Sequence, residues 1–171
     1  MSQAYEAAFA AQFLTFTLGS ETFAVPVAQT REILDYAPLT RVPQLPAFVA
    51  GVINLRGRVV PVIDLRERFG IATQAQTRET CIVVLEIDIE GVVSEIGALV
   101  DSVQEVVALD AGEIEPPPRF GLGLGGDLLA GLGKRGGRFV IILRPEHLLA
   151  GGEARQFAGL DVADLCAAEV A

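Results

Sequence analysis

The chain has 171 residues, of which 51% are hydrophobic and 20% are charged, a composition that is typical of a globular protein and excludes a disordered one. Its formal net charge is −9, and we expect neither nucleic acid nor an anionic membrane surface as a partner, because both require a basic footprint. The longest charge-free stretches, 7–20 and 42–55, are too short for a bilayer, which takes about 20 residues, and the N-terminus lacks a basic leader region, so we expect a cytoplasmic location without membrane insertion.

Short strand-like segments separated by turn signals begin near residue 13. Phe13–Leu18 and Phe23–Val27 flank Gly19-Ser20 and predict a β-hairpin. Glu32 follows within Thr30–Ile33, at the edge of a strand. Farther along, Leu65–Phe69 predicts a single helical turn. This half of the chain therefore reads as mainly β.

Residues 51–66, GVINLRGRVVPVIDLR, are two β-branched apolar runs around a tight turn. β-Branched residues favour the half-buried surface of a sheet. Gly57 suits a turn that needs a positive φ, and Arg56 lies where a hairpin tip presents its charge to solvent or to a partner. The segment offers no nucleophile, general base or metal ligand. It predicts a binding surface on an all-β scaffold.

The second half continues the same pattern and ends in a helical one. Cys81–Ile87 and Val92–Val100 flank Glu90-Gly91 and predict a second hairpin. Phe157, Leu160 and Leu165 lie near helical spacing and predict a C-terminal helix over 153–170. The remaining predicted elements are the strands Val103–Leu109, Asp127–Leu132 and Arg138–Leu143 and a helical turn at Pro145–Leu149.

The two halves of the chain align with each other. Residues 48–60 match 128–140 at an offset of 80, which makes Gly57 and Gly137 the turns of equivalent hairpins. Residues 23–34 match 96–107 at an offset of 73. Two copies of a β unit imply two small similar barrels or sheets, over about 12–72 and 79–150, between which strands can be exchanged. Chance similarity between strands rich in Val and Gly is the alternative.

Residues that could carry catalysis lack the context that catalysis requires. The glycines of 121–126 match a dinucleotide fingerprint, but prolines precede them and no βαβ pattern surrounds them, so a loop is expected. His147 is the only histidine, and Cys81 and Cys166 lie far apart without metal-ligand spacing. We therefore expect no catalytic, cofactor or metal site, and a protein that is not an enzyme.

Arg56 and Glu32 are the one pair of opposite charges for which we consider a binding role. A rigid, planar arginine–carboxylate pair can shape a surface for a partner. The alternative is an exposed ion pair that contributes about 0–1 kcal/mol to stability and has no other role. The residues alone leave both interpretations open.

Six segments together carry a family resemblance. They are FLTFTLGSETFAVPV (13–27), REI (31–33), LTRVPQLPAFVAGVINLRGRVVPVIDLRERFG (39–70), GALVDSVQEVV (97–107), IEPPP (114–118) and LLAGLGKRGGRFVIIL (128–143). In these segments the chain resembles the CheW family of bacterial chemotaxis coupling proteins. The resemblance implies one CheW-like domain over 12–150, built from two five-stranded β-barrels packed together, with short helices and the helix at 153–170. It also implies a non-enzymatic adaptor, without cofactors, that couples the cytoplasmic tips of chemoreceptors (methyl-accepting chemotaxis proteins) to the histidine kinase CheA.

The resemblance also implies which residues bind partners. The family's receptor-binding groove lies between the barrels, and its functional arginine and glutamate fall on Arg56 and Glu32. Thr30, where the family often has a small apolar residue, and Asn54 complete the expected receptor site. The expected kinase-facing edge is the strand that begins at Cys81 and Ile82.

Two other functions remain as alternatives. A CheW-like adaptor can serve a pilus or surface-sensing pathway, and the sequence does not distinguish this from chemotaxis. A small-ligand-binding β-barrel is the other alternative, and it predicts an apolar cavity in place of an exposed groove.

Overall fold

The structure is a computed structural model that describes residues 11–72, 74–89, 91–116 and 128–148. The predicted helix at 153–170, the glycine-rich loop at 121–126 and Cys166 lie outside the described residues.

The described chain is mainly β, as predicted. A single α-helix among these residues, α1 (Leu65–Phe69), occupies the predicted helical turn, and the Asp64 carboxylate caps it by accepting a hydrogen bond from the Arg66 amide at 3.0 Å. Short 3₁₀ segments occur at Val27–Gln29, Ala111–Glu113 and Pro145–Leu148. The strands are β1 (Ala11–Leu18), β2 (Glu21–Pro26), β3 (Thr30–Asp35), β4 (Val49–Leu55), β5 (Arg58–Asp64), β6 (Cys81–Ile89), β7 (Val92–Val100), β8 (Ser102–Leu109), β9 (Ile114–Glu115), β10 (Leu129–Arg135) and β11 (Arg138–Leu143).

The strands form two sheets, and each sheet contains strands from both halves of the chain. The six-stranded sheet has the order β8-β1-β2-β11-β10-β9, and the five-stranded sheet has the order β3-β6-β7-β5-β4. The hairpin β1–β2 joins the later strands through a parallel pairing of β2 with β11, in which Phe23 lies opposite Ile141. The hairpin β6–β7 joins the earlier strands through a parallel pairing of β5 with β7. The two halves therefore exchange their first hairpins, and neither sheet is a contiguous segment of the chain.

The two halves also share a local irregularity that explains a pair of aligned glycines. The β4–β5 pairing shifts register between Val49 and Gly51, and the β10–β11 pairing shifts between Leu129 and Gly131. A Cβ atom on Gly51 would lie 2.7 Å from the carbonyl oxygen of Thr40, and one on Gly131 would lie 2.8 Å from that of Glu115. Both sheets therefore need glycine where another backbone segment crosses the strand.

The hydrophobic core has a central part and two smaller parts. The central part lies between the sheets and includes Phe16, Phe23 and Leu85, with the Phe23 ring stacked 5.4 Å from that of Phe69. Each sheet also buries apolar residues in a cluster of its own: Phe13, Ala24, Val107, Leu109, Val140 and Ile142 in one, and Val62, Ile82 and Val84 in the other. Both faces of each sheet thus bury apolar side chains, and the prediction of a mainly β fold with two similar units is confirmed. One unit has six strands where five were predicted, because the two-residue strand β9 pairs with β10.

A largely buried ion pair ties the two sheets together. Arg66 in α1 contacts both carboxylate oxygens of Asp101, with its Nε 2.8 Å from Oδ1. Asp101 lies where the chain passes from β7 in one sheet to β8 in the other, and its Oδ2 accepts a hydrogen bond from the Gly19 amide at 2.7 Å. The hydrogen bond from Arg66 is the main cause that lowers the pKa of Asp101 below its usual value of 3.8. The pair therefore stabilises the fold while Asp101 is ionised.

Replacing Asp101 with Asn should lower the free energy of unfolding by about 3 kcal/mol, because it leaves the Arg66 guanidinium buried without its counter-charge. Since the pKa of Asp101 is lowered in the folded state, this contribution is complete above the ordinary carboxyl pKa and is lost as the pH falls below it. Urea unfolding should show a constant difference between wild type and variant near neutral pH that shrinks below about pH 4. Exposed Glu21, replaced with Gln, is the control; an equally small effect for both variants would contradict a structural role for the pair.

Candidate functional site

The turn between β4 and β5 has an unusual backbone. Arg56 and Gly57 occupy its two central positions with φ values of 54° and 84°. Two consecutive positive φ values define a type I′ turn, whose twist matches that of the flanking strands. The side-chain oxygen of Asn54 accepts a hydrogen bond from the Gly57 amide at 2.9 Å and closes the turn.

Arg56 is placed in a conformation that an arginine does not favour. The equivalent turn between β10 and β11 has the same geometry, but it is built from Gly136 and Gly137, with φ values of 59° and 78°. A residue with a Cβ in the left-handed region costs about 1–2 kcal/mol, whereas glycine enters it freely. The same turn thus forms without arginine elsewhere in this chain, so turn formation does not explain Arg56.

The side chain of Arg56 contacts Glu32 on β3. Its Nη2 lies 3.0 Å from Oε1 and 2.9 Å from Oε2 of that carboxylate. The Arg56 side chain is 68% exposed, whereas that of Glu32 is 23% exposed. Because β3 and β4 are the two edges of the five-stranded sheet, the pair spans the seam where the curled sheet brings its edges together. The contact fixes the guanidinium and leaves most of it accessible to a partner.

The other two residues of the expected receptor site lie near this pair. Asn54 is exposed in the same turn, where its side-chain oxygen is engaged by Gly57. Thr30 begins β3, is half-buried, and donates a hydrogen bond from Oγ1 to the Pro26 carbonyl at 3.1 Å. The structure therefore brings Glu32 and Arg56 into contact, with Asn54 beside them and Thr30 on the same strand as Glu32.

A second group of charges includes Arg31 and Arg58, sequence neighbours of the pair, and is not among the predicted site residues. Glu86 and Glu95 lie directly opposite each other on β6 and β7, where like charges repel. Arg58 contacts Glu95, and Arg31 lies 3.8 Å from Glu86 and 4.0 Å from Glu95. The arginines thus neutralise two facing carboxylates. The sequence signal is a glutamate within each of two mostly apolar strands, but the pairing of the two glutamates depends on a register that the sequence does not give.

The predicted kinase-facing edge is wrong in its position within the sheet. The strand β6 lies between β3 and β7, so it is not an edge, and the side chain of Ile82 is 1% exposed in the interior of the five-stranded sheet. The half-buried Cys81 thiol lies 3.1 Å from the Glu79 carbonyl oxygen. Burial, and after it the charge of Asp35, raises the pKa of this thiol. Ile82 therefore has no surface to offer a partner, and the protonated thiol of Cys81 is a weak nucleophile.

A cleft of about 460 Å³ opens beneath the segment that joins β3 to β4. Its walls combine apolar residues, Leu39 among them, with the polar side chains of Arg41, Asp64, Glu67 and Gln76. Among the described residues, no three His, Cys, Asp or Glu side chains come together as metal ligands. In the same part of the chain, no helix is long and apolar enough to cross a membrane.

Comparison with known proteins gives one consistent result. The family model of the CheW-like domain matches residues 12–153. The chain is 38% identical to the chemotaxis protein CheW of Klebsiella aerogenes over 142 residues, 83% of each chain, and 36% identical to that of Helicobacter pylori over 138 residues, 81% of each. The crystal structure of the scaffolding protein TtCheW from Thermoanaerobacter tengcongensis superposes with a TM-score of 0.76 and 30% identity, covering 84% of this chain and 95% of that one.

Replacing Arg56 with Gly reproduces the Gly-Gly turn of the β10–β11 hairpin and tests whether the Arg56 side chain stabilises the fold. Relief of the left-handed strain should offset the loss of an exposed ion pair worth about 0–1 kcal/mol. We expect the free energy of unfolding, measured with urea, to remain the same or to rise by up to about 1 kcal/mol. The reverse comparison is Gly136→Arg, which should be destabilising. A loss of stability in Arg56→Gly would show that the arginine holds the fold.

Proposed function

Because the chain belongs to the CheW-like domain family, we propose that it is a cytoplasmic, non-enzymatic adaptor that couples the cytoplasmic tips of chemoreceptors to the histidine kinase CheA. The observation that carries this proposal is the Arg56–Glu32 pair at the seam of the five-stranded sheet. A strained, exposed arginine held by a carboxylate is suited to binding, and it offers neither a nucleophile nor a general base.

The receptor tip is the partner we assign to the face around Arg56. Arginine is enriched among the residues that dominate interface energies, because its planar guanidinium makes several directed hydrogen bonds at once. The contact with Glu32 orients the side chain before binding, which reduces the conformational entropy lost in the complex. Asn54 borders the same face and has side-chain amide hydrogens to donate.

An adaptor of this kind works through binding energy and geometry. Two modest contacts, one with a receptor and one with the kinase, make assembly multivalent, so each contact can be weak while the assembly is stable. Signalling then requires only that the receptor states differ in their contacts with the adaptor. An adaptor in a pilus or surface-sensing pathway would work by the same physics with a different receptor.

Replacing Arg56 with Ala should weaken the receptor contact selectively. We expect a loss of about 1–3 kcal/mol in binding of a receptor cytoplasmic fragment, which is roughly 5- to 150-fold in Kd. Glu32→Gln should give a smaller loss in the same assay, because it frees Arg56 without removing it. Binding of CheA, measured separately by calorimetry, should change by less than about twofold, since an adaptor that holds both partners at once must contact the kinase away from the receptor face.

Arg41→Ala is the matched control, because Arg41 is also exposed and makes no ion pair with any other described residue. It should leave both affinities unchanged. An equal loss for receptor and kinase in Arg56→Ala, or a fall in thermal stability, would mean that the receptor assignment is wrong.

A further inference from the structure

The tip of the β10–β11 hairpin carries positive charge on an acidic protein. Lys134, Arg135 and Arg138 surround the Gly136-Gly137 turn, and all of these residues are exposed. The chain as a whole has a net charge of −9. The cluster is therefore a local region of positive potential on a protein whose net charge is negative.

The equivalent hairpin shows that such charges are neutralised elsewhere in the fold. In the β4–β5 hairpin, Arg56 contacts Glu32 and Arg58 contacts Glu95. At the β10–β11 tip, within the part of the chain that the structure describes, neither Arg135 nor Arg138 contacts a carboxylate. Lys134 alone has such a partner, with its Nζ 2.6 Å from Oε2 of Glu115. Among the described residues, therefore, no carboxylate neutralises these two guanidinium groups.

An exposed aromatic ring lies against these charges. Phe139 is 54% exposed, and Lys134 Nζ lies 5.8 Å from the centre of its ring. The residues from Lys134 to Phe139 line a shallow concavity of about 260 Å³. A Cβ atom built on Gly136 or Gly137 would meet no described atom within 4 Å, so this part of the structure leaves room for a partner's backbone at the turn.

We propose that this hairpin tip is a docking surface for an acidic segment of a protein partner, with carboxylates on Arg135 and Arg138 and an apolar side chain on Phe139. Arginine paired with an aromatic residue is the composition of an interface hot spot. A peptide is favoured over a nucleic acid for two reasons. The net negative charge of this protein repels an extended polyanion, and Phe139 can pack against an apolar side chain, which a peptide supplies. The surface is part of the six-stranded sheet, whereas the Arg56–Glu32 face proposed for the receptor is part of the five-stranded sheet. The two surfaces are therefore distinct.

Short fluorescein-labelled peptides test the proposal by fluorescence anisotropy with the full chain. The first probe has glutamates around a central leucine, the second has serine in place of that leucine, and the third has lysines in place of the glutamates. The first should bind wild type, the second more weakly and the third not at all. Arg135→Glu combined with Arg138→Glu should weaken the first probe by at least about tenfold. Phe139→Ser should remove the preference for leucine over serine.

The control variant combines Arg41→Glu with Arg78→Glu, which changes the net charge equally at two other exposed arginines. It should change peptide affinity by less than about twofold. Arg56→Ala should likewise leave peptide binding intact, so failure of the receptor assignment and failure of this proposal are separable. All variants should melt near the wild-type temperature. Absence of binding to wild type, equal loss in the control, or equally tight binding of a DNA oligonucleotide of the same charge would overturn the proposal.

Discussion

The exchange of hairpins between the two halves of the chain is the constraint on which the structure depends. Each sheet is completed by a hairpin from the other half, through the parallel pairings of β2 with β11 and of β5 with β7. One continuous core lies between the sheets, and Asp101 is held by Arg66 where the chain crosses from one sheet to the other. Neither half can form its sheet alone, so the two sheets should unfold together. A cooperative fold gives the surface turns a rigid base.

That rigidity lets two equivalent turns carry different chemistry. The two hairpins share their register shift and their type I′ geometry, and both contain glycine at the second central position. The first has Arg56 in a strained conformation and pairs it with Glu32 across the seam. The second has an unstrained Gly136 and leaves Arg135 and Arg138 without carboxylate partners in the described chain. A duplicated fold thus presents two unlike surfaces, which an adaptor between unlike partners requires.

Much of this fold follows from local sequence patterns. Turn glycines between strand-like apolar runs predict the β1–β2, β4–β5 and β6–β7 hairpins. The repeat at an offset of 80 relates Gly51 to Gly131 from the sequence alone. The strand predicted at Asp127–Leu132 continues to Arg135 in β10, because Lys134 and Arg135 form the solvent-exposed end of the strand. The edge position expected for Ile82 came from the family resemblance, whereas β6 lies inside its sheet and buries residues on both faces, a placement that local sequence does not distinguish from an edge strand. The Arg66–Asp101 pair depends on the exchange of hairpins, and no local pattern reveals it. Arg56 could be assigned a role only because its segment resembles a known family.

As proposed, this chain joins two proteins that it binds at separate surfaces. The most direct measurement is co-sedimentation of CheA with a receptor cytoplasmic fragment displayed on vesicles, as the concentration of this protein is raised. CheA should sediment only when the adaptor is present, and its sedimentation should rise to a maximum and then fall at excess adaptor, because separate adaptor molecules then saturate receptor and kinase. Sedimentation of CheA that is independent of the adaptor, or that is reduced by it at every concentration, would contradict a bridging role.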